Sequence, residues 1–158
     1  MRHARIHPRI LGYLGRALSL EYSAVQQYMT QAALCEAWGL NEAAQRFREE
    51  TVEEMQHADR IVKRMLGLGV APSASCLRPA SVARSLVDLL RQDAVLEADI
   101  VALYEEATGF CQRIRDQENA GFFEALWREE AAHAQEIDAW LAQLGVPGHP
   151  GPDDRAYF

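Results

Sequence analysis

The chain has 158 residues and a mass of 17.7 kDa, the size of one compact domain. Apolar residues make up 49% and charged residues 25%, a globular composition with enough apolar material for a real core. The formal charge of -7 argues against nucleic acid, which needs a basic face, and suits a protein that attracts cations.

Met1 to Pro8 is basic, but no apolar run follows, because Gly15, Arg16 and Glu21 interrupt it. Neither a signal peptide nor a membrane span of about 20 apolar residues is expected. Cys35, Cys76 and Cys111 are odd in number and form no C-x-x-C pair. A disulfide framework is not expected, and a reducing compartment, the cytoplasm, is.

The pattern predicts an all-α fold of four long helices. The first starts at Pro8, a good first helical residue, and ends near Gly39. The second starts with Asn41 as its N-cap and runs to about Leu68. Gly69 to Ala80 holds Pro72 and Pro79 and reads as a loop. The third helix is predicted from Ser81 to about Ile114, and the fourth from Asp116 to Leu144. Short connections make each pair an antiparallel hairpin. The middle loop, about 12 extended residues, reaches roughly 40 Å. A helix near 28 residues is roughly 42 Å long, so this loop is able to cross back along the bundle. The bundle occupies residues 1–144. The tail, 145–158, carries Pro147, Pro150 and Pro152 among glycines, which excludes a fifth helix.

An internal repeat relates the two halves at a spacing of 76 residues. Leu14 meets Leu90, Glu21 meets Glu97, Tyr28 meets Tyr104 and Cys35 meets Cys111. On the next helix Phe47 meets Phe123, Glu53 meets Glu129, Glu54 meets Glu130 and His57 meets His133. Two helical hairpins of one design, related by an approximate two-fold axis, follow from this.

Each half carries a glutamate and, 33 residues later, E-x-x-H: Glu21 with Glu54 and His57, Glu97 with Glu130 and His133. Residues three apart share one helix face, so each motif aims a carboxylate and an imidazole at one point. The glutamates also interrupt otherwise apolar stripes, such as Leu14, Leu18, Glu21, Val25, Tyr28, Ala32 and Cys35. The matching stripes run Phe47, Thr51, Glu54, Ala58, Ile61; Leu90, Ala94, Glu97, Val101, Tyr104; and Phe123, Trp127, Glu130, Ala134, Ile137, Leu141, Leu144. Four buried carboxylates are costly unless paired or metal-bound. Their charge balances two divalent cations, so these six residues are predicted to hold a metal pair.

The sequence resembles the bacterioferritin family over nearly its whole length. The resemblance rests on Leu20-Glu21 through Gln27-Tyr28, Trp38-Gly39-Leu40, Glu54-Met55-Gln56-His57-Ala58-Asp59-Arg60, Asp93 through Glu97, and Arg128 through His133. It implies a ferritin-like four-helix bundle with a long crossover, ferroxidase activity and iron storage. Glu21 and Glu97 would be terminal ligands of two irons, Glu54 and Glu130 bridges, and His57 and His133 one ligand each. Manganese or zinc suits the same donors. Tyr28 would stand beside the site, whereas Tyr104 has no place in the family pattern. The family also implies haem b between two subunits with Met55 as axial ligand. Met55 points about 100° away from Glu54, on a face with Arg48, Val52, Asp59 and Val62. Implied partners are Fe2+, O2 or H2O2, a small ferredoxin, and further copies of the chain, as a homodimer or a 24-subunit cage. The altered C-terminal end departs from the family at the cage-building segment. The alternatives are another di-metal oxidase or peroxidase, rubrerythrin-like, and a haem-bearing redox or structural subunit without a mineral cavity.

Overall fold

His7 caps the first helix: its Nδ1 accepts from Arg9 N at 3.1 Å, and Pro8 follows where a missing N–H costs nothing. The computed structural model describes residues 6–73 and 76–146. Its helices are α1 (Pro8–Ala37), α2 (Asn41–Gly67), α3 (Leu86–Arg113) and α4 (Gln117–Gln143). No strand occurs among the described residues, and no helix there is long and apolar enough to cross a membrane. The proline-rich tail from Pro147 onward lies outside the described residues, with the expectation that it forms no fifth helix.

Two helix starts differ from the sequence reading. Asn41 is the first residue of α2 rather than its cap; Leu40 holds the cap position without a side-chain bond. The turn that closes α1 ends at Leu40, whose N–H bonds Cys35 O at 2.8 Å, so Leu40 O is already free to accept from Ala44 N. The third helix begins at Leu86, not Ser81. Ser85 is extended, and its Oγ accepts from Asp88 N at 3.2 Å, so the helix starts after this cap.

The repeat is visible in the turns. Gly39 ends α1 at φ 76°, and Arg115, its counterpart 76 positions on, ends α3 at φ 62°. The wrapping bond Leu40 N to Cys35 O recurs as Asp116 N to Cys111 O at 2.9 Å. Each turn folds its hairpin antiparallel, α1 on α2 and α3 on α4.

The hairpins then meet with α1 antiparallel to α3. Tyr28 of α1 reaches Glu97 of α3, and Tyr104 of α3 reaches Glu21 of α1. α2 therefore finishes at the opposite end of the bundle from the start of α3, and the segment between them crosses over. Arg78 clips that crossover at mid-bundle: its N–H donates to Ser23 Oγ at 2.9 Å, its carbonyl accepts from Gln26, and its guanidinium pairs with Asp99 at 2.6 Å.

The core follows the predicted stripes. Leu14, Leu18, Ala32, Cys35, Phe47, Ile61, Leu90, Tyr104, Cys111 and Phe123 are buried, with Glu21, Glu54, Glu97 and Glu130 among them. Val25, Thr51, Ala94, Val101, Trp127 and Ala134 are only half-buried. Leu144 is exposed, because it lies beyond the last turn of α4.

Candidate metal centre

Four helices each deliver one carboxylate to the middle of the bundle. Glu21, Glu54, Glu97 and Glu130 all have no exposed surface, and His57 and His133 are buried beside them. E-x-x-H on α2 sets His57 Nδ1 3.2 Å from Glu54 Oε2, and across the bundle 2.7 Å from Glu130 Oε1. On α4, His133 Nδ1 lies 3.1 Å from Glu54 Oε1 and 3.4 Å from Glu130 Oε2. The imidazole rings stack 5.6 Å apart.

Two fully buried four-residue clusters result, beside a more exposed group of Glu50, Glu53 and His133. Glu21, Glu54, His57 and Glu130 form one; Glu54, Glu97, Glu130 and His133 form the other; within each, the donor atoms lie within 4.8 Å of one another. Glu54 and Glu130 belong to both clusters, Glu21 and Glu97 to one each. The six residues singled out by spacing are thus brought together. Glu21 Oε2 and Glu97 Oε2 are buried and accept no hydrogen bond. Free lone pairs on a mixed oxygen and nitrogen donor set fit a first-row divalent cation.

The charge is held by protons. Burial drives Glu21 and Glu97 well above the carboxylate range, and the neighbouring charges of Glu130 and Glu54 add to this. Glu130 is also penalised by burial, yet hydrogen bonds from His133 and His57 outweigh that and hold it low. Burial works against charge on the histidines, but Glu130 and Glu54 overcome it: His133 is pushed up to about 12, and His57 is raised too, with Glu21 helping. Two imidazolium ions therefore compensate the carboxylates, the role that two cations would take over.

A second ring of residues fixes the first. His57 Nε2 lies 2.9 Å from Glu129 Oε2, and Arg60 pairs with that carboxylate at 2.8 Å. His133 Nε2 lies 2.6 Å from Glu53 Oε2. Each outward nitrogen thus keeps its hydrogen, leaving Nδ1 to ligate, the arrangement that orients a metal-binding imidazole. Tyr28 donates to Glu97 Oε1 and Tyr104 donates to Glu21 Oε1. Burial, then the adjacent glutamate, pushes both phenols well above their usual value. Glu53, Glu129 and Tyr104 were not assigned a role from sequence, although the 76-residue repeat pairs Glu53 with Glu129 and Tyr104 with Tyr28.

A cleft of about 450 Å³ leads from the surface to His57, lined by Gln45, Glu49, Val52, Glu53 and Glu129 among others. Met55 stands apart from the cluster. It is 55% exposed on the outer face of α2, next to Val52 at 53%.

The chain is similar to known proteins over most of its length. The ferritin-like domain family matches residues 11–145. A bacterioferritin of Rhodobacter capsulatus is 33% identical over 148 residues, covering 94% of this chain and 90% of that protein. A bacterioferritin of Brucella melitensis biotype 1 is 30% identical, covering 89% and 88%. A solved structure of the Rhodobacter capsulatus protein superposes with a TM-score of 0.83 at 32% identity, over 87% of this chain and 86% of that one. That structure is described with a metal-free dinuclear site and its haem iron in a crystallographic special position. The chain belongs to the ferritin-like family and, within it, to the bacterioferritins.

Proposed function

We propose that the chain is a ferroxidase that binds two Fe2+ in the bundle and oxidises them for storage or detoxification in the cytoplasm. The observation that carries this reading is the pair of buried four-residue clusters sharing Glu54 and Glu130. Glu21 and His57 would hold one ion, Glu97 and His133 the other, and Glu54 and Glu130 both. Each Fe2+ gives up one electron, and the pair reduces O2 with two protons to H2O2, or H2O2 with two protons to water. The protein supplies placement and charge compensation. The acidic cleft beside His57 supports entry of cations from that side. Manganese or zinc fits the same donors.

The exposed thioether of Met55 beside Val52 suits a haem held between two subunits, one Met55 from each. Such a haem would supply a one-electron store; the resemblance adds a small ferredoxin as electron partner. The same face makes a homodimer the minimal assembly, and the resemblance adds a 24-subunit cage as the larger alternative, against which the altered C-terminal segment stands. The test of the central reading is anaerobic titration with Fe2+ followed by oxygen. Saturation at two ions per chain and rapid oxidation are expected; no binding beyond an exposed-carboxylate background overturns it.

A further inference from the structure

The two-fold relation that governs the metal cluster breaks one turn away. Asp93 on α3 is fully buried, and Gln27 Nε2 and Gln31 Nε2 of α1 both donate to its Oδ1, at 2.6 and 2.7 Å. At the matching positions in the other half stand Ala17, Leu103 and Ala107, all buried and apolar. Glu50, whose charge acts on Asp93 from α2, is likewise matched by buried Leu126. An apolar version of this layer packs well enough in one half of the same molecule. Packing alone gives no reason for a buried carboxylate in the other.

The hydrogen bonds also leave a gap. Asp93 Oδ2 and Gln31 Oε1 are both buried without a partner, although their two residues are already joined at 2.7 Å. Buried acceptors left unpaired in this way are costly. One proton on Oδ2 satisfies both: the O–H donates to Gln31 Oε1, and acid and amide close a two-bond ring. No cation is among the groups that act on Asp93, so the ionised form has nothing to balance it.

We propose that Asp93 is a proton-holding residue: a neutral carboxylic acid that shares its Oδ2 proton with Gln31 Oε1 and releases it when cations fill the Tyr28–Glu97 half of the centre. The release step rests on the metal reading above; the acid–amide pair does not. In that step Asp93 goes from carboxylic acid to carboxylate, and the proton passes to solvent water on the α2 side, where Glu50 reaches the surface with 24% of its side chain exposed. The groups facing Asp93 are Tyr28 and Cys35 from α1 and Glu50 from α2; α4 contributes none among the described residues. Burial pushes the Asp93 carboxyl up to about 7, against the two glutamine bonds. A group balanced there responds to a modest change in nearby charge. Because the other half has no counterpart, the two halves of the centre become inequivalent.

Infrared difference spectra of the chelator-treated full chain, wild type minus D93N, test the pair. An acid C=O stretch is expected at pH 6, fading with a midpoint near 7 and absent from D93N. It should move to higher frequency in Q31L, which removes both bonds of the ring, the Nε2 donor and the Oε1 acceptor, and leaves the Gln27 bond. The surface variant D138N should retain it. Absence of an Asp93 acid band at pH 6 overturns the pair. The spectra are then repeated with saturating Zn2+, its binding counted separately by metal analysis. The midpoint is expected to fall by about 1–2 units, as for an acid near new positive charge. A midpoint indifferent to two bound Zn2+ overturns the release step. Failure of Zn2+ to bind overturns the metal reading and the release with it, while the band without metal still decides the pair.

Discussion

The Tyr104 hydroxyl donates a hydrogen bond to Glu21 Oε1 across 83 positions of chain, from α3 to α1. Tyr28 repeats the relation in reverse, donating from α1 to Glu97 Oε1 on α3. The two bonds tie the hairpins together at the level of the candidate metal centre and fix the carboxylates that belong to only one four-residue cluster. Y104F and Y28F should each leave a fully buried glutamate oxygen unpaired and lower stability by about 1–3 kcal/mol. Chemical denaturation of the chelator-treated variants measures this, and equal losses are expected from the two. A loss confined to Y28F would mean that the Tyr104 bond contributes nothing to holding Glu21.

Glu54 and Glu130 each serve both clusters. E54A and E130A should therefore disturb both ions at once and abolish the rapid phase of Fe2+ oxidation. E21A or E97A removes one terminal ligand and should weaken one ion more than the other. Stopped-flow oxidation at two Fe2+ per chain separates these cases. Wild-type rates in E54A and E130A would defeat the assignment of a shared carboxylate pair.

Metal should stabilise the fold, and more so at high pH. At one hundred times Kd, binding to the folded state alone adds about 2.7 kcal/mol per site. For a domain of this size that is a rise in Tm of about 5–10 °C. The pH dependence follows from Glu21 and Glu97, which burial raises well above their ordinary 4.5. Between that value and their folded pKa the native chain holds protons that the unfolded chain has lost, so stability falls as pH rises. His133, raised from 6.5 to about 12, acts in the same direction above pH 6.5. Glu130 is lowered, so its contribution is present above 4.5 and is lost only as pH falls below that. The chelator-treated protein should melt progressively lower from pH 6 to pH 9, while Co2+ or Zn2+ widens its advantage over the same range. Parallel melting curves with and without metal would contradict a buried carboxylate cage.

Arg115 occupies the left-handed region at φ 62°, where its counterpart in the repeat is Gly39. A side chain there costs roughly 1–2 kcal/mol, and glycine costs nearly nothing. Arg115→Gly should raise stability by about 1 kcal/mol, a Tm gain of about 2–4 °C. A thermal scan checks it; a decrease would show that the Arg115 side chain makes a compensating contact.

Assembly and haem are read together. Two chains of 17.7 kDa give about 35 kDa, and 24 give about 425 kDa, so native mass spectrometry distinguishes dimer from cage. Protein produced with ample haem should show a Soret band, and M55L should lose it. A strictly monomeric chain at micromolar concentration would remove both the dimer and the shared haem.

Residue spacing alone determined a great deal of this protein. Helical periodicity placed Glu21, Glu54, Glu97 and Glu130 on apolar stripes, and E-x-x-H put a histidine on the same face as Glu54 and as Glu130, because the α-helix fixes those relations locally. The 76-residue repeat supplied the two-fold relation. The caps at Leu40 and Ser85 were harder to place, since they depend on which of several polar groups wins a few backbone hydrogen bonds. Tertiary structure alone decided how the hairpins dock. Only antiparallel contact of α1 with α3 brings Tyr104 to Glu21, and only the opposition of α2 and α4 sets Glu129 behind His57 and Glu53 behind His133. It also decided that Asp93 meets Gln27 and Gln31, which lie 66 and 62 positions away in the chain. Such pairings join residues on different helices, and the relative rotation and level of two helices come from packing of whole faces rather than from any local pattern.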